Sequence, residues 1–354
     1  SSCIVKALED VECYKLPKES FLKCLENDEV NDYLRRKMCL EDSNIELKDL
    51  FLISHLGKGK YGNVHLVHTD YFIYAIKSVQ LSFTRNDKIL GKYLVTEKKL
   101  LYTLDHPFIV KLVKTFKKDT TCFFLMEYIN GINIEKYVLQ RNQQVTKKTL
   151  LTPRSIWEAK FYGGCLFLAL DYLHHKMICH RDIKPSNLMI DQYGYLKMID
   201  FGAAKVIKDI TFTIAGTPNC IAPEVLLGKG YSFPCDFWSA GIVLFYIIYG
   251  QYPYKHNTNV MELYKEVVNG VIEYPEQNDS KSKEVVAFLQ KLLRKNPIGR
   301  IWSLNKIMEE PFYEDFQWKD LKCRKFKKED IPYIKAEYSQ QEITRLMTNF
   351  SMSY

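Results

Sequence analysis

The chain has 354 residues, of which 47% are hydrophobic and 26% charged, and it carries a formal net charge of +8 at pH 7. These values are ordinary for a folded globular protein with one large or two modest domains. The longest apolar run, 240–249, is about half the roughly 20 residues that a membrane-spanning helix needs. We therefore expect a buried core helix there and no transmembrane segment.

The ten cysteines are scattered and form no CxxC pair. This usage favours a reducing compartment over a disulfide framework or a zinc site, and it predicts a cytoplasmic protein. Two basic runs, 35–37 and 319–328, lack the aromatic partners or the recognised fold that nucleic-acid binding would need. We expect a solvated face or a surface for an acidic partner, and no nucleic acid; attraction to a membrane surface stays open.

Residues 49–128 predict a small β-rich domain. Their β-branched and aromatic residues are typical of short strands, and one stretch places leucines on one side of a helix. The predicted strands are 51–55, 64–68, 72–79 and 122–126, and the predicted helix is 93–104.

Helices dominate from about residue 155, so a larger helical domain follows the β-rich one and the predicted fold class is α+β. The polar stretch 141–152 lacks periodicity and is predicted to be a loop. The predicted helices are 155–176, 235–249, 260–269 and 282–294.

A glycine-rich loop, GKGKYGNV, begins at Gly57 and includes Gly59 and Gly62. Glycines let a backbone turn sharply and approach the phosphates of a nucleotide. An ordinary glycine turn or a dinucleotide-binding fold would show similar spacing, but the dinucleotide fingerprint opens a helix. Here the glycines lead into a predicted strand, which favours a loop over the phosphates of ATP.

A lysine on an apolar strand gives the next signal. Lys77 ends the sequence Tyr-Ala-Ile-Lys, where an unpaired charge would be costly. A phosphate on one side and a carboxylate on the other would offset that cost, and Glu97 in the following helix is the predicted partner. The alternative is that the Lys77 ammonium reaches solvent.

The stretch HRDIKPSN, residues 180–187, predicts a catalytic loop. Asp182 is expected to accept the proton of a substrate hydroxyl, Lys184 to neutralise the γ-phosphate, and Asn187 to bind a second magnesium ion. Asp200, thirteen residues after Asn187, opens an Asp-Phe-Gly motif whose carboxylate would hold the bridging metal. Phosphoryl transfer needs such charges placed around the phosphates.

Together with Ala-Pro-Glu at 222–224, these motifs in this order resemble the eukaryotic protein-kinase superfamily over residues 49–312. The segment 213–218 and the C-terminal tail are similar to the cyclic-nucleotide-dependent kinases of the AGC group, and the resemblance of the N-terminal residues described below would make the cyclic-GMP type the nearest. The resemblance implies a bilobal fold with a small β-rich N-lobe, 49–129, and a larger helical C-lobe, 130–312. It also implies a Ser/Thr protein kinase that uses ATP and Mg²⁺ and acts on protein substrates.

The resemblance brings further site residues with it. It places adenine between Val64, Ala75 and Met189, against the backbone of a hinge that includes Glu127 and Ile129. The other residues that it implies are the gatekeeper Phe124, the apolar spine Leu101, Leu112, His180 and Phe201, the ion pair Glu224–Arg300, and Asp236 holding the backbone of the catalytic loop.

Regulation is also implied by the resemblance. Thr213 falls where the family carries an activating phosphate, and Arg181 and Lys205 match two of the basic residues that would receive it. An unmodified loop threonine is the alternative. Residues 1–40 resemble the end of a cyclic-nucleotide-binding domain whose ligand-binding part would lie upstream, although an unrelated amphipathic extension is also compatible. Residues 313–354 resemble an AGC-type tail.

The sequence departs from its relatives where basophilic kinases of this group carry three acids. These positions hold Asn133, Ser186 and Tyr246, so a preference for arginine before the target residue is not carried over. The predicted catalytic residues are all intact, which favours an active kinase over a pseudokinase or scaffold that binds ATP without transferring phosphate. The substrate and the regulating nucleotide stay open.

Overall fold

The structure is a computed structural model that describes residues 44–59, 62–81, 85–143, 151–254, 259–275 and 279–332, with Lys37, Leu40 and Glu342. By its internal contacts the chain divides into two units, residues 1–45 and 46–354. The predicted remnant of a cyclic-nucleotide-binding domain, 1–40, lies outside the described residues except for Lys37 and Leu40. It therefore stays a prediction.

The second unit begins with a five-stranded antiparallel sheet and one long helix. The strands are β1 Phe51–Gly59, β2 Gly62–His68, β3 Ile73–Gln80, β4 Leu112–Lys118 and β5 Thr121–Glu127. Their order in the sheet is β1-β2-β3-β5-β4, and all four predicted strands are present. The fourth strand in the chain was not predicted, because its three lysines interrupt the apolar pattern of a strand. It forms by pairing with the strand that follows it. The helix, α1 Arg85–Thr103, lies between β3 and β4 in the chain.

The remainder of the second unit is mainly helical, as predicted, and carries short strands near the cleft between the lobes. The helices are α2 Ile134–Gln143, α3 Pro153–His175, α4 Pro223–Leu226, α5 Pro234–Tyr249, α6 Val260–Asn269, α7 Ser280–Leu292, α8 Leu304–Met308 and α9 Trp318–Lys322. The strands are β6 Ile132–Asn133, β7 Ile178–Cys179, β8 Leu188–Ile190, β9 Leu196–Met198 and β10 Lys205–Val206.

The predicted loop 141–152 is wrong at its start. Its first three residues form the last turn of α2, while residues 144–150 lie outside the described part of the chain. Tertiary contacts explain the difference, since the Arg141 guanidinium donates to the buried carboxylate of Glu158 over 2.5 Å and to the Ile247 carbonyl over 2.6 Å. These contacts anchor a helical turn that the local sequence does not favour.

Helix α5 is the centre of the C-lobe core. Every residue from Cys235 to Tyr249 is buried, which explains the long apolar run in the sequence. The helix ends at Gly250, whose left-handed φ of 69° suits a residue without a β-carbon. Within the described ranges, no helix is both long and apolar enough to span a bilayer.

The predicted ion pair Glu224–Arg300 is present at the base of the C-lobe. Two nitrogens of the Arg300 guanidinium donate to the two oxygens of the Glu224 carboxylate over 2.6 and 2.9 Å. Such a bidentate pair is among the stronger hydrogen-bonded contacts in proteins. Arg300 also lies over the Trp238 ring at 5.2 Å, so the Ala-Pro-Glu motif is held against the core helix.

The two lobes meet along β9. The Val110 amide donates to the Met198 carbonyl over 2.9 Å, and the Met198 amide donates to the Phe108 carbonyl over 3.0 Å. Because Asp200 follows Met198 by two residues, this pairing places the Asp-Phe-Gly motif directly beneath the N-lobe sheet.

Candidate active site

Lys77 lies where two carboxylates converge. Its ammonium donates to Glu97 Oε1 in α1 over 2.8 Å and lies 3.5 Å from Asp200 Oδ1. The predicted pairing with Glu97 is therefore confirmed, and the alternative of a solvent-exposed lysine is not. Burial alone would lower the pKa of Lys77, but the charges of Glu97 and Asp200 raise it above its ordinary value, so Lys77 is cationic at neutral pH.

Asp200 keeps a charged carboxylate despite its surroundings. Burial pushes its pKa up, but the charge of Lys77 and the hydrogen bond from the Gly202 amide outweigh that effect and lower it. The Gly202 amide donates to Asp200 Oδ1 over 3.0 Å, and the side chain is still 37% exposed. An accessible anion aimed at a cationic lysine is suited to holding a metal ion.

The predicted walls of the adenine pocket lie on β2, β3 and β8. Val64 pairs with Lys77 across β2 and β3, and Ala75 precedes Lys77 by two residues, so the three side chains lie on the same face of the sheet. Val64, Ala75 and Met189 in β8 are each partly exposed, which is expected of residues that line an open cleft. The glycine-rich loop joins β1 to β2, and Gly57 and Gly59 end β1 while Gly62 begins β2.

The predicted hinge follows β5. Glu127 is the last residue of β5 and Ile129 is buried just beyond it. The Glu127 amide donates to the Lys111 carbonyl over 3.0 Å, so a contact from Glu127 to adenine would use its carbonyl. Phe124, the predicted gatekeeper, is buried and pairs with Lys77 across β3 and β5.

Asp236 holds the catalytic loop from below, as predicted. Its carboxylate accepts hydrogen bonds from the His180 amide over 2.9 Å and the Arg181 amide over 2.8 Å, and it contacts His174 Nε2 at 2.9 Å. Arg181 has a φ of 67°, a left-handed conformation that is unusual for arginine. The bonds to Asp236 hold the loop in this conformation. His180 also meets the Phe201 ring at 5.0 Å within the predicted spine.

Asp182 is the centre of a hydrogen-bonded cluster. Its Oδ1 accepts from the Thr217 hydroxyl over 2.6 Å, and its Oδ2 accepts from Asn187 Nδ2 over 3.1 Å and lies 3.0 Å from Lys184 Nζ. Lys184 also donates to Thr217 over 3.0 Å. Thr217 was not predicted from the sequence, since nothing local marks a threonine 35 residues away as a partner of Asp182.

The surroundings of Thr213 are only partly those predicted. Thr213 is exposed, and its carbonyl accepts from the Tyr231 hydroxyl over 2.5 Å. Arg181 reaches Tyr231 over 3.4 Å and the Ala203 carbonyl over 2.7 Å, while Lys205 donates to Thr211 over 3.0 Å. Among the ion pairs of the described residues, none joins the buried Arg181 guanidinium to a carboxylate. The contact of Tyr231 with this segment was not predicted from the sequence.

Of the three positions that lack the expected acids, Asn133 and Tyr246 make other contacts. Asn133 Oδ1 accepts from the Lys136 amide over 2.8 Å and so caps the start of α2. Tyr246 is buried, with its ring 4.9 Å from that of Tyr252. Ser186 lies in the turn of the catalytic loop and is partly exposed.

The described part of the tail packs behind the catalytic lobe. Phe316 lies 5.9 Å from Trp157 in α3, whose indole donates to the Asp330 carbonyl over 2.8 Å. Arg324 donates to Asp191 over 2.7 Å at the turn before β9. The predicted return of 348–354 over the ATP cleft lies outside the described residues.

Comparison with known proteins settles the family. Residues 51–313 match the family model "protein kinase domain". The chain belongs to the protein kinase family. Two relatives are cGMP-dependent protein kinases: that of Plasmodium berghei is 33% identical over 92% of this chain, and that of Toxoplasma gondii is 32% identical over 82% of it. The cAMP-dependent protein kinase type 3 of Saccharomyces cerevisiae is 31% identical over 78% of this chain and 68% of its own length.

The likeness to cyclic-nucleotide-dependent kinases of the AGC group is thereby confirmed. The kinase chain spans only 37% of the Plasmodium relative and 29% of the Toxoplasma relative. These relatives are therefore about three times as long as the segment that they share with it.

Proposed function

We propose that this chain is an active Ser/Thr protein kinase that transfers the γ-phosphoryl group of ATP to protein hydroxyls. The observation that carries the proposal is the convergence of Lys77, Glu97 and Asp200 across the two lobes, with Lys77 Nζ 2.8 Å from one carboxylate and 3.5 Å from the other. Phosphoryl transfer depends on such charges being in place before the substrate arrives.

The donor set at the cleft fits magnesium with ATP. Asp200 offers an ionised, accessible carboxylate, and Asn187 offers an amide oxygen beside Asp182, which are the oxygen ligands that Mg²⁺ prefers. When bound, Mg²⁺ would neutralise charge on the phosphates. Lys77 would bind phosphate oxygens from the side opposite Glu97. Val64, Ala75, Met189, Ile129 and Glu127 would bind adenine, and Gly57, Gly59 and Gly62 would cover the phosphates.

The chemistry needs one further group, a base for the substrate hydroxyl. We assign this role to Asp182, whose carboxylate already accepts a hydroxyl hydrogen bond, that of Thr217, over 2.6 Å. A substrate hydroxyl in the same region would be oriented in the same way, and Lys184 at 3.0 Å would balance the charge near the γ-phosphate.

A single assay separates this proposal from a nucleotide-binding pseudokinase. Purified chain is incubated with ATP, Mg²⁺ and a generic basic protein, and phosphate transfer to serine and threonine is measured by mass spectrometry. We expect multiple turnovers. Nucleotide binding with no transfer, also after phosphorylation of Thr213, would favour the pseudokinase.

We further propose that Thr213 is phosphorylated in the active enzyme. Arg181 is a buried cation held by neutral oxygens, so a phosphate at Thr213 would supply a strong anionic partner, with Lys205 nearby on β10. Thr213→Ala should lower kcat/KM at least tenfold, whereas Thr213→Glu should recover only part of it. Thr211→Ala is a matched neighbour for comparison. A fully active preparation with unmodified Thr213 in its mass spectrum would contradict this assignment.

The peptide groove should discriminate weakly for arginine. Because Asn133 caps a helix and Tyr246 is buried, neither supplies the carboxylate that a substrate arginine would need. Replacing an arginine two or three residues before the target by alanine should cost less than about tenfold in kcat/KM, or about 1.4 kcal/mol. Ser186→Glu should raise the preference, because position 186 lies in the catalytic loop beside Asn187.

The control for this experiment is Glu135, an acid in the first turn of α2. Burial and then the charge of Glu135 raise the pKa of Tyr246, so this carboxylate acts on the same region. The Arg and Ala peptides should be assayed on wild type, Ser186→Glu and Glu135→Gln. A hundredfold preference in the wild type that Glu135→Gln removes would show that Glu135 replaces the missing acids.

The chain's similarity to much longer cGMP-dependent kinases supports a regulatory proposal. We propose that the full protein carries a cyclic-nucleotide-binding region before this segment and acts in the cytoplasm. Cyclic GMP and cyclic AMP should each leave the activity of this 354-residue chain unchanged, and should change that of the full protein.

A further inference from the structure

A buried ion pair joins β5, the hinge strand that ends at Glu127, to β9, the strand that leads to Asp200. Lys197 in β9 donates to Glu127 Oε1 at the end of β5 over 2.6 Å, and the two side chains are only 3% and 6% exposed. Burying two charges costs desolvation free energy that only close geometry and further hydrogen bonds offset. The chemistry proposed above uses neither side chain, so the pair calls for another explanation.

The Glu127 carboxylate also holds the chain that enters β4. Its Oε1 accepts from the Lys111 amide over 2.9 Å, while the Glu127 amide donates to the Lys111 carbonyl over 3.0 Å. Lys111 directly follows Val110, whose amide bonds to β9. Glu127 therefore connects three segments at the junction of the lobes: the hinge strand, the entry to β4, and β9.

Lys197 connects the same junction to the floor of the cleft. It pairs with Met189 across β8 and β9, and it precedes Asp200 by three residues. The ion pair is thus a buried, charged side-chain link between the end of β5 and the hairpin that carries Met189. A change in this link would alter the space between hinge backbone and floor, where adenine is proposed to bind.

We propose that Glu127 and Lys197 form an interlobe clamp that positions the nucleotide. The proposal rests on the ATP-binding function assigned above and adds two positioning residues to it. Without Lys197, the Glu127 carboxylate would lose the ammonium that lies 2.6 Å away, and the hinge would lose this link to β9. The clamp should therefore act on nucleotide affinity much more than on the rate of the chemical step.

The test uses Lys197→Met, Glu127→Gln and the double variant in the 354-residue chain. The Kd for ADP is measured by calorimetry, and KM for ATP and kcat by steady-state assay. Each single variant should raise both Kd and KM about tenfold, equivalent to about 1.4 kcal/mol, with kcat within threefold of wild type. The double variant should bind ADP no more weakly than the weaker-binding single variant, because the two changes remove the same interaction.

A matched control is Lys291→Met, which breaks the ion pair between Lys291 and Glu310, 2.7 Å apart on the C-lobe. It should leave the Kd for ADP unchanged. If Lys197→Met lowered the Tm but left the Kd within twofold, the pair would be only structural and the clamp would be refuted. If that variant did not fold, an unchanged Kd in Glu127→Gln would refute it equally. Wild type that binds no ADP would instead overturn the proposed function itself.

Discussion

Asp200→Asn should reduce phosphoryl transfer by about a thousandfold or more while leaving the fold intact. The carboxylate is the accessible anion beside Lys77, and a neutral amide would neither hold Mg²⁺ nor balance the lysine. The fold should survive because asparagine keeps the acceptor for the Gly202 amide, and Lys77 keeps Glu97 at 2.8 Å. The measurements are single-turnover transfer to a protein substrate and the Tm.

A matched change elsewhere shows that the effect belongs to this site. Asp70 is exposed in the turn between β2 and β3, so Asp70→Asn should change neither activity nor Tm. ADP binding without Mg²⁺ should be similar in Asp200→Asn and wild type, whereas the gain in affinity on adding Mg²⁺ should be lost. Transfer within tenfold of wild type would show that Asp200 does not hold the metal.

Asp182→Asn should lower kcat by about a hundred- to ten-thousandfold and leave the Kd for ADP nearly unchanged. Asparagine preserves the shape of the side chain and accepts from Thr217, but it cannot take a proton from the substrate hydroxyl. Asp182 lies in the catalytic loop and is not one of the proposed adenine walls in β2, β3 and β8, so nucleotide binding should not depend on its charge.

The comparison that isolates this role is Thr217→Val, which removes the hydroxyl bonded to Asp182 and retains the carboxylate. That variant should lose less activity than Asp182→Asn, since the base is still present but less well oriented. Near-normal transfer by Asp182→Asn to a protein substrate would show that another group accepts the proton.

Most of the candidate site was predictable from the sequence because its chemistry dictates residue types at short, fixed spacing. Each motif can be recognised from a few neighbouring residues. This holds for the glycines before a strand, for the lysine on an apolar strand, and for the acids of the catalytic loop. The pairing of Lys77 with Glu97 was predicted on the same ground, since a buried lysine needs a carboxylate and the next helix supplied one. The hydrophobic pattern likewise predicted the long helices and the α+β class.

Only the tertiary structure reveals the contacts between residues that are distant in sequence. Lys197 lies between two apolar residues on β9, and this pattern normally predicts a lysine that points to solvent. The Lys197 side chain is buried instead, because it forms an ion pair with Glu127, 70 residues away in the sequence. The hydroxyl of Thr217 on Asp182 and the Arg141 contacts that extend α2 are of the same kind. Local sequence determines which side chains can react, but burial and long-range approach determine which of them hold the others in place, because desolvation and hydrogen bonding depend on neighbours that the fold alone supplies.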